Sequence, residues 1–284
     1  MNQDTIKSAV EAALIADCYL LGSHWIYDAD ALKNLSINWD ELNAPCATWH
    51  EGKGKGDFTH YGDHAKWLET SVKDNGCFNL DAYRSLWLKN MKTYKGYIDG
   101  ATKETLEMLE KDATLTQGSH SHDLSIVGSI APLLYVSNTK ADFLASVANF
   151  VAFTHNDARV LNVANLFASI LYDVANGSSI KDAMNTVEVD ASLKSAFDAG
   201  VASCDQDTVE SIQAFGAGCP VDGGFEGTVH LLSHYDNFKD AMVANAKAGG
   251  DSASRGMVVG MIMGAVHYDV PTSWRDGTKG LLSL

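Results

Sequence analysis

Glycine at every fourth position (Gly256, Gly260, Gly264) inside the apolar stretch 252–267 constrains this chain more than any other feature. A helix with that spacing presents a flat stripe that a neighbouring backbone can approach closely. It belongs at the centre of a fold. Just before it, Gly249-Gly250-Asp251-Ser252-Ala253-Ser254-Arg255 brings paired glycines, a carboxylate and two hydroxyls to the helix mouth. Free N–H groups and the positive dipole end favour an anion there, so Asp251 is expected to cap the helix. A capped core helix and a ligand site are both compatible with this stretch.

Helical periodicity governs the rest. Over 5–24, Ile6, Val10, Ala13, Leu14, Asp17, Leu20, Leu21 and His24 share one face. That places two polar residues, Asp17 and His24, on a stripe that should be buried. Helical patterns follow at 63–72, 80–94, 101–111, 124–136 and 141–176, the last long enough for two helices. Others fall at 180–185, 190–202, 207–215, 223–233, 237–248 and 252–267. Period-two alternation is scarce, and the connections carry Gly, Ser, Asn and Asp. No repeat or linker divides the chain, so the expected fold is all-α, one domain over residues 1–284.

With 284 residues, 46% of them hydrophobic, the chain can bury a sizeable core. Its 21 basic and 36 acidic side chains give a net charge of −15. Such a surface repels DNA, RNA and anionic membranes, so neither nucleic acid nor membrane is expected as a partner. The scattered, odd set Cys18, Cys46, Cys77, Cys204 and Cys219 forms no CxxC pair. Reduced thiols and a cytoplasmic location follow as expectations. The N-terminus lacks the basic flank of a signal peptide, and no apolar run approaches a membrane span.

Four polar clusters interrupt the apolar pattern at predicted helix starts. Tyr61-Gly62-Asp63-His64 offers a carboxylate and an imidazole suited to metal ligation or proton transfer, or simply a helix cap. Gly118-Ser119-His120-Ser121-His122-Asp123 contains an H-x-H pair, a weak metal signature that solvated or capping residues also explain. Thr154-His155-Asn156-Asp157 sits within one of the most apolar regions, where polar side chains need partners. The fourth is the segment from Asp251 to Ser254. The loop Gly52-Lys53-Gly54-Lys55-Gly56 lacks Walker spacing and reads as a mobile basic loop. G-x-S-x-G, Rossmann and HExxH patterns are missing from the sequence.

In order, these clusters resemble the ADP-ribosylglycohydrolase family. The matching pieces are Asp17 with Gly22, Tyr61-Gly62-Asp63-His64 in the position of T-D-D-T, and Ser119-His120-Ser121 followed by Ala131-Pro132-Leu133. Thr154-His155-Asn156-Asp157 comes next, then G-G-D-S-A-S from Gly249 with its glycine helix, and Pro271 with Trp274. The resemblance implies an all-α domain that cleaves a ribosyl glycosidic bond with two magnesium ions held by paired aspartates. Gly62 and Ala253 replace one aspartate of each pair, a variation similar to the branch containing the jellyfish J-crystallins. Two hard dications need more oxygen ligands than remain, so at most one divalent ion, magnesium or manganese, is expected, or none.

The resemblance leaves three readings. In the first, a small-molecule or ADP-ribosylated substrate is hydrolysed in a remodelled site. Asp63, His64 and Asp251 are then catalytic, and Asp63, Asp251 and Ser254 form the metal shell. His120, His122, His155, Asp157 and Arg255 bind ligand, with Lys66 or Arg255 supplying positive charge. The second is a non-catalytic ligand-binding or crystallin-like protein. The third is a mononuclear transition-metal enzyme using Asp63, His64, Asp251 and a histidine from 120 or 122.

Overall fold

Asn2 opens the first helix by accepting the Asp4 N–H at 3.0 Å, the usual answer to the free donors of a helix start. The computed structural model describes residues 1–266 and 269–281. Its helices are α1 (Gln3–Leu20), α2 (Ala29–Lys33), α3 (His60–Asn75), α4 (Leu80–Met91), α5 (Gly100–Lys111), α6 (Lys140–Ala152) and α7 (Ala158–Ala175). They continue as α8 (Ile180–Thr186), α9 (Lys194–Ala202), α10 (Thr208–Phe215), α11 (Val221–His234), α12 (Phe238–Ala248), α13 (Ser252–Val266) and α14 (Thr272–Gly277). Only isolated bridges, Ile26 with Gly250 and Asp123 with Pro220, interrupt the all-α character of the described residues.

The glycine stripe of α13 does what its spacing implies. A Cβ at Gly256 would meet Leu20, at Gly260 Ala16 and Ala12, and at Gly264 Ala12 and the Ser8 carbonyl. The order runs backwards along α1, so the two helices pack antiparallel at backbone distance. Residues 252–265 of α13 are all buried, and α1 is buried continuously from Ala12 to Leu20. These two helices form the axis on which the others pack. Trp274 of α14 closes the end of α1, stacking on Tyr19 at 3.7 Å and donating to the Asp40 carbonyl.

Several elements depart from the periodicity. The 124–136 pattern folds as two 3-10 segments, Ser125–Ser129 and Ala131–Val136, because Pro132 has no N–H and disfavours α geometry before it. The 141–176 pattern splits where Thr154-His155-Asn156 leaves the helix and Asp157 caps α7. In α11 the backbone breaks at Asp222 and Gly223 (φ 85°), and a Cβ at Gly223 would strike the Phe215 carbonyl at 2.4 Å. The short helices α2 and α14 had no periodic signal, and His267 lies outside the described residues. No helix among the described residues is long and apolar enough to cross a membrane. All five cysteines are free.

Candidate functional site

The chain after α1 and the chain before α13 are zipped together. Trp25 N–H donates to the Gly250 carbonyl and Gly250 N–H to the Ile26 carbonyl, each at 2.7 Å, while Asp251 N–H reaches the Ala217 carbonyl at 2.7 Å. This requires the glycine pair. Gly249 and Gly250 sit at φ 68° and 64°, and Cβ atoms there would lie 2.3 Å from the Ile26 carbonyl and 2.0 Å from the Ala217 carbonyl. Trp25 has φ 65°, the one positive-φ residue other than glycine among the described residues. A bulky side chain tolerates that conformation only when its surroundings enforce it, and such strain concentrates at functional sites. Its ring stacks against both His24 (4.6 Å) and His50 (5.1 Å), which are themselves 5.1 Å apart, with Tyr97 edge-on at 4.7 Å.

The first turn of α3 meets this zipper. Thr59 caps the helix and is itself held by Asp17, whose carboxylate accepts the Thr59 N–H at 2.7 Å and its hydroxyl at 2.5 Å. Next in sequence, His60 stands 3.2 Å from Asp99 and Tyr61 donates its hydroxyl to Asp251 at 3.4 Å. The starts of α3 and α13 therefore meet through Tyr61 and not through Asp63. Asp251 does not cap α13. The Ala253 N–H is directed at His24 Nδ1 (3.4 Å), which also lies 3.5 Å from Asp251 Oδ1. Neutral His24 accepting there carries its proton on Nε2.

Burial dominates the electrostatics. It pushes Asp251 up to about 6 against the opposing charge of Arg255. It holds His24 well below its ordinary value, His50 near about 4, His64 near about 3, and His155 lowered too. Burial would also raise Asp99, but the His60 imidazole 3.2 Å away and the neighbouring histidines outweigh it and keep this carboxyl well below the usual range. Asp251 Oδ1, both nitrogens of His60, Nε2 of His24, His50, His64 and His155, and Trp25 Nε1 are buried without an aligned hydrogen-bond partner. Native interiors satisfy nearly every such group. Their concentration in one region marks a buried polar cluster whose donors and acceptors are not satisfied within the chain.

Asp17 is raised to about 7, chiefly by burial, with its Thr59 hydrogen bonds opposing. A carboxyl whose folded pKa exceeds the unfolded one stabilises fully below pH ~3.8, and the contribution is lost as pH climbs through 7. Asp17→Asn keeps the shape without the charge. It should remove on the order of 4 kcal/mol of stability loss between pH 4 and 8. Urea midpoints of both proteins across that window test this; parallel pH profiles would refute it.

The other sequence-predicted residues are dispersed. Asp63 Oδ2 is held at 2.5 Å by both the Lys53 ammonium and the Tyr94 hydroxyl, and it shares no direct partner with Asp251. His64 is buried against Trp67, and His155 is buried with Nδ1 at 2.9 Å from the Thr154 hydroxyl. His120 and His122 are exposed, the first bonded to the Asn156 carbonyl, the second giving its own carbonyl to Val221. Asp157 accepts from Arg159 and Val160 as a helix cap. Ser254 donates to the Asp251 carbonyl. Arg255 is wholly buried, bracing the Asn245 side chain and the Ala217 and Gly249 carbonyls, with burial lowering it to about 10. It is a strut of the loop and has no free face for a ligand. Lys66 pairs with Glu69 at 2.7 Å. Among the described residues no three His, Cys, Asp or Glu side chains converge as a metal site.

Sequence reasoning missed His24, Trp25, His50, His60, Tyr61 and Asp99 as site residues. His24 had signalled itself as a polar residue on an apolar face. Tyr61 opened a nominated cluster without being singled out in it, and His60 stood directly before it. Trp25 and His50 had no local signal, because a loop supplies one and backbone strain the other.

Comparison with known proteins agrees with this architecture. Residues 2–283 match the family model described as ADP-ribosylglycohydrolase. Crystallin J1A of Tripedalia cystophora is 21% identical, the alignment covering 98% of this chain and 92% of that protein. Crystallin J1B of the same animal is 20% identical over 97% and 92%. A solved structure described as an ADP-ribosylglycohydrolase-related protein complex superposes with a TM-score of 0.72 at 16% identity, over 98% of this chain and 95% of that one. By the family model that spans almost every residue, and by the shared fold, the chain belongs to the ADP-ribosylglycohydrolase family.

Proposed function

We propose that this protein hydrolyses a ribosyl glycosidic bond at the polar cluster around Trp25, with Asp251 handling the proton and no divalent ion at Asp63. The observation that carries the reading is the buried, unpartnered Asp251 Oδ1 amid imidazole and indole nitrogens that also lack partners. A ribose hydroxyl edge offers the donors and acceptors such a wall requires. Asp251 and Asp99 sit in environments that drive their protonation apart, as two carboxyls with different duties require. Asp251 would protonate the leaving group as the bond at C1 breaks, then accept a proton from the water that adds to C1. Ionised Asp99, acting beside His60, would stabilise positive charge developing on the ring.

The two magnesium ions implied by the family do not suit this donor set. Gly62 and Ala253 bring no oxygen ligand, and Lys53 already neutralises Asp63. The imidazole-rich pocket supports a transition metal no better, since its nitrogens do not converge. Asp251→Asn should slow release of ADP-ribose from an ADP-ribosylated substrate by roughly 10²- to 10⁴-fold, while shifting the melting temperature little. Product chromatography and a thermal-shift series with ADP-ribose, ribose and nucleosides test it. If no ribose-containing compound shifts the melting curve and nothing is released, the reading fails. The second reading, a non-catalytic crystallin-like protein, is favoured by the names of the two Tripedalia relatives. It would then stand.

A further inference from the structure

The ion pair between Lys53 and Asp63 is built rather than incidental. Both side chains are sheltered, 18% and 20% exposed, whereas the neighbouring pair Lys55 and Glu41 is 57% and 55% exposed. The loop that delivers Lys53 is fixed at both ends. Lys53 N–H bonds to the His50 carbonyl at 3.0 Å. Further on, Gly54 N–H bonds to Asp57 Oδ2 at 2.7 Å, and the Gly56 carbonyl accepts Lys279 N–H at 2.8 Å. Gly56 (φ 90°) lies so close to the C-terminal segment that a Cβ would strike the Gly277 carbonyl at 2.4 Å. The loop expected to be mobile and basic is therefore anchored, its glycines permitting these close contacts. Tyr94 donates to the same Asp63 oxygen as the ammonium, and Asp17 lies near enough to interact with Asp63 electrostatically.

We propose that Lys53 is a tethered cation that takes the place of a divalent ion at Asp63, so the chain supplies this positive charge itself. One ammonium brings half the charge of magnesium and no demand for octahedral oxygen ligands, which matches a motif that has lost a carboxylate at Gly62. The native site then has nothing to offer a dication while Lys53 is in place. With the ammonium removed, Asp63, one-fifth exposed, presents its negative charge to a hard ion.

The test uses manganese as probe, followed by electron paramagnetic resonance of the free ion. It needs no turnover, so its outcome is independent of the hydrolase reading. The full chain, Lys53→Met and Lys53→Gln are compared, the glutamine variant keeping a donor to Asp63 without the charge. Native protein should show no saturable manganese binding, and its melting temperature should be the same with chelator or with magnesium. Both variants should bind manganese at least roughly ten-fold more tightly than native protein, and adding Asp63→Asn should abolish that gain. Saturable binding by native protein that Asp63→Asn removes would overturn the proposal. So would a failure of both lysine variants to gain affinity, which would leave the pair as structure only.

Discussion

Gly62→Asp, which restores aspartate where the family pattern has one, is expected to destabilise the protein by about 4 kcal/mol or more and to bring no magnesium affinity. The first carbon of any side chain there would lie 2.3 Å from Asp17 Oδ2 and 2.8 Å from Phe58 Cβ. Overpacking of this kind costs about 1–3 kcal/mol. A second carboxylate pressed against a buried first adds an unpaired buried charge, about 3–5 kcal/mol when no partner compensates it. Asp17 cannot move away, since both its oxygens are committed to Thr59 at the start of α3. Gly62→Ala should carry the steric share alone. The double variant Asp17→Gly with Gly62→Asp should be less damaged than the two single losses combined, by a coupling of about 1–3 kcal/mol. Urea denaturation of the four proteins measures the cycle, and isothermal titration with magnesium measures the metal. A folded Gly62→Asp that melts like the native protein would show that Asp17 does not fill this space.

That clash explains how far the sequence could be read. The substitution at Gly62 was visible, and so was Asp17 on a buried stripe. Their meeting was not, because residues 45 apart in the chain show no mutual signal until α1 and α3 are packed. The core followed from spacing: glycines four apart told of a close helix pair, and α1 with α13 is that pair. Helix starts were legible where a side chain caps them, as Asp157 does for α7. The site was legible only in part. Asp251 was found because its glycines are a dense local pattern. The pairing of Asp63 with Lys53 was not legible, because Lys53 comes from a loop whose charge looked solvated. Trp25 depends on strain imposed by Gly250, which one residue at a time cannot reveal. Exposed His120 and His122 drew attention through their spacing, although His120 turns its ring Nδ1 to the Asn156 carbonyl and only the backbone carbonyl of His122 is engaged, by the Val221 N–H.

Arg255→Met should be the most damaging change outside the glycines, removing on the order of 3–5 kcal/mol and lowering the melting temperature by about 10 °C. The guanidinium is fully buried and divides its donors among Asn245 Oδ1 at 3.0 Å, the Ala217 carbonyl at 3.3 Å and the Gly249 carbonyl at 2.6 Å. Gly227 leaves room for its stem, since a Cβ there would come within 3.1 Å of Arg255 Cδ. Methionine fills much of that volume but leaves Asn245 Oδ1 and the Gly249 carbonyl dry, the Ala217 carbonyl with the Asp251 N–H alone, and Asp251 without its opposing charge. Arg255→Lys should recover little, because a single ammonium cannot span acceptors on three segments. The second consequence is electrostatic. Arg255 currently pulls Asp251 down while burial pushes it up to about 6. Without the arginine the carboxyl should stay protonated to higher pH, and any rate that needs it ionised should move its acidic limb upward. Carboxyl titration by isotope-edited infrared spectroscopy on Arg255→Met, which removes the charge, read against the native protein, checks the direction. An unchanged or lowered Asp251 titration would mean that Arg255 braces the loop without shaping the charge of the site.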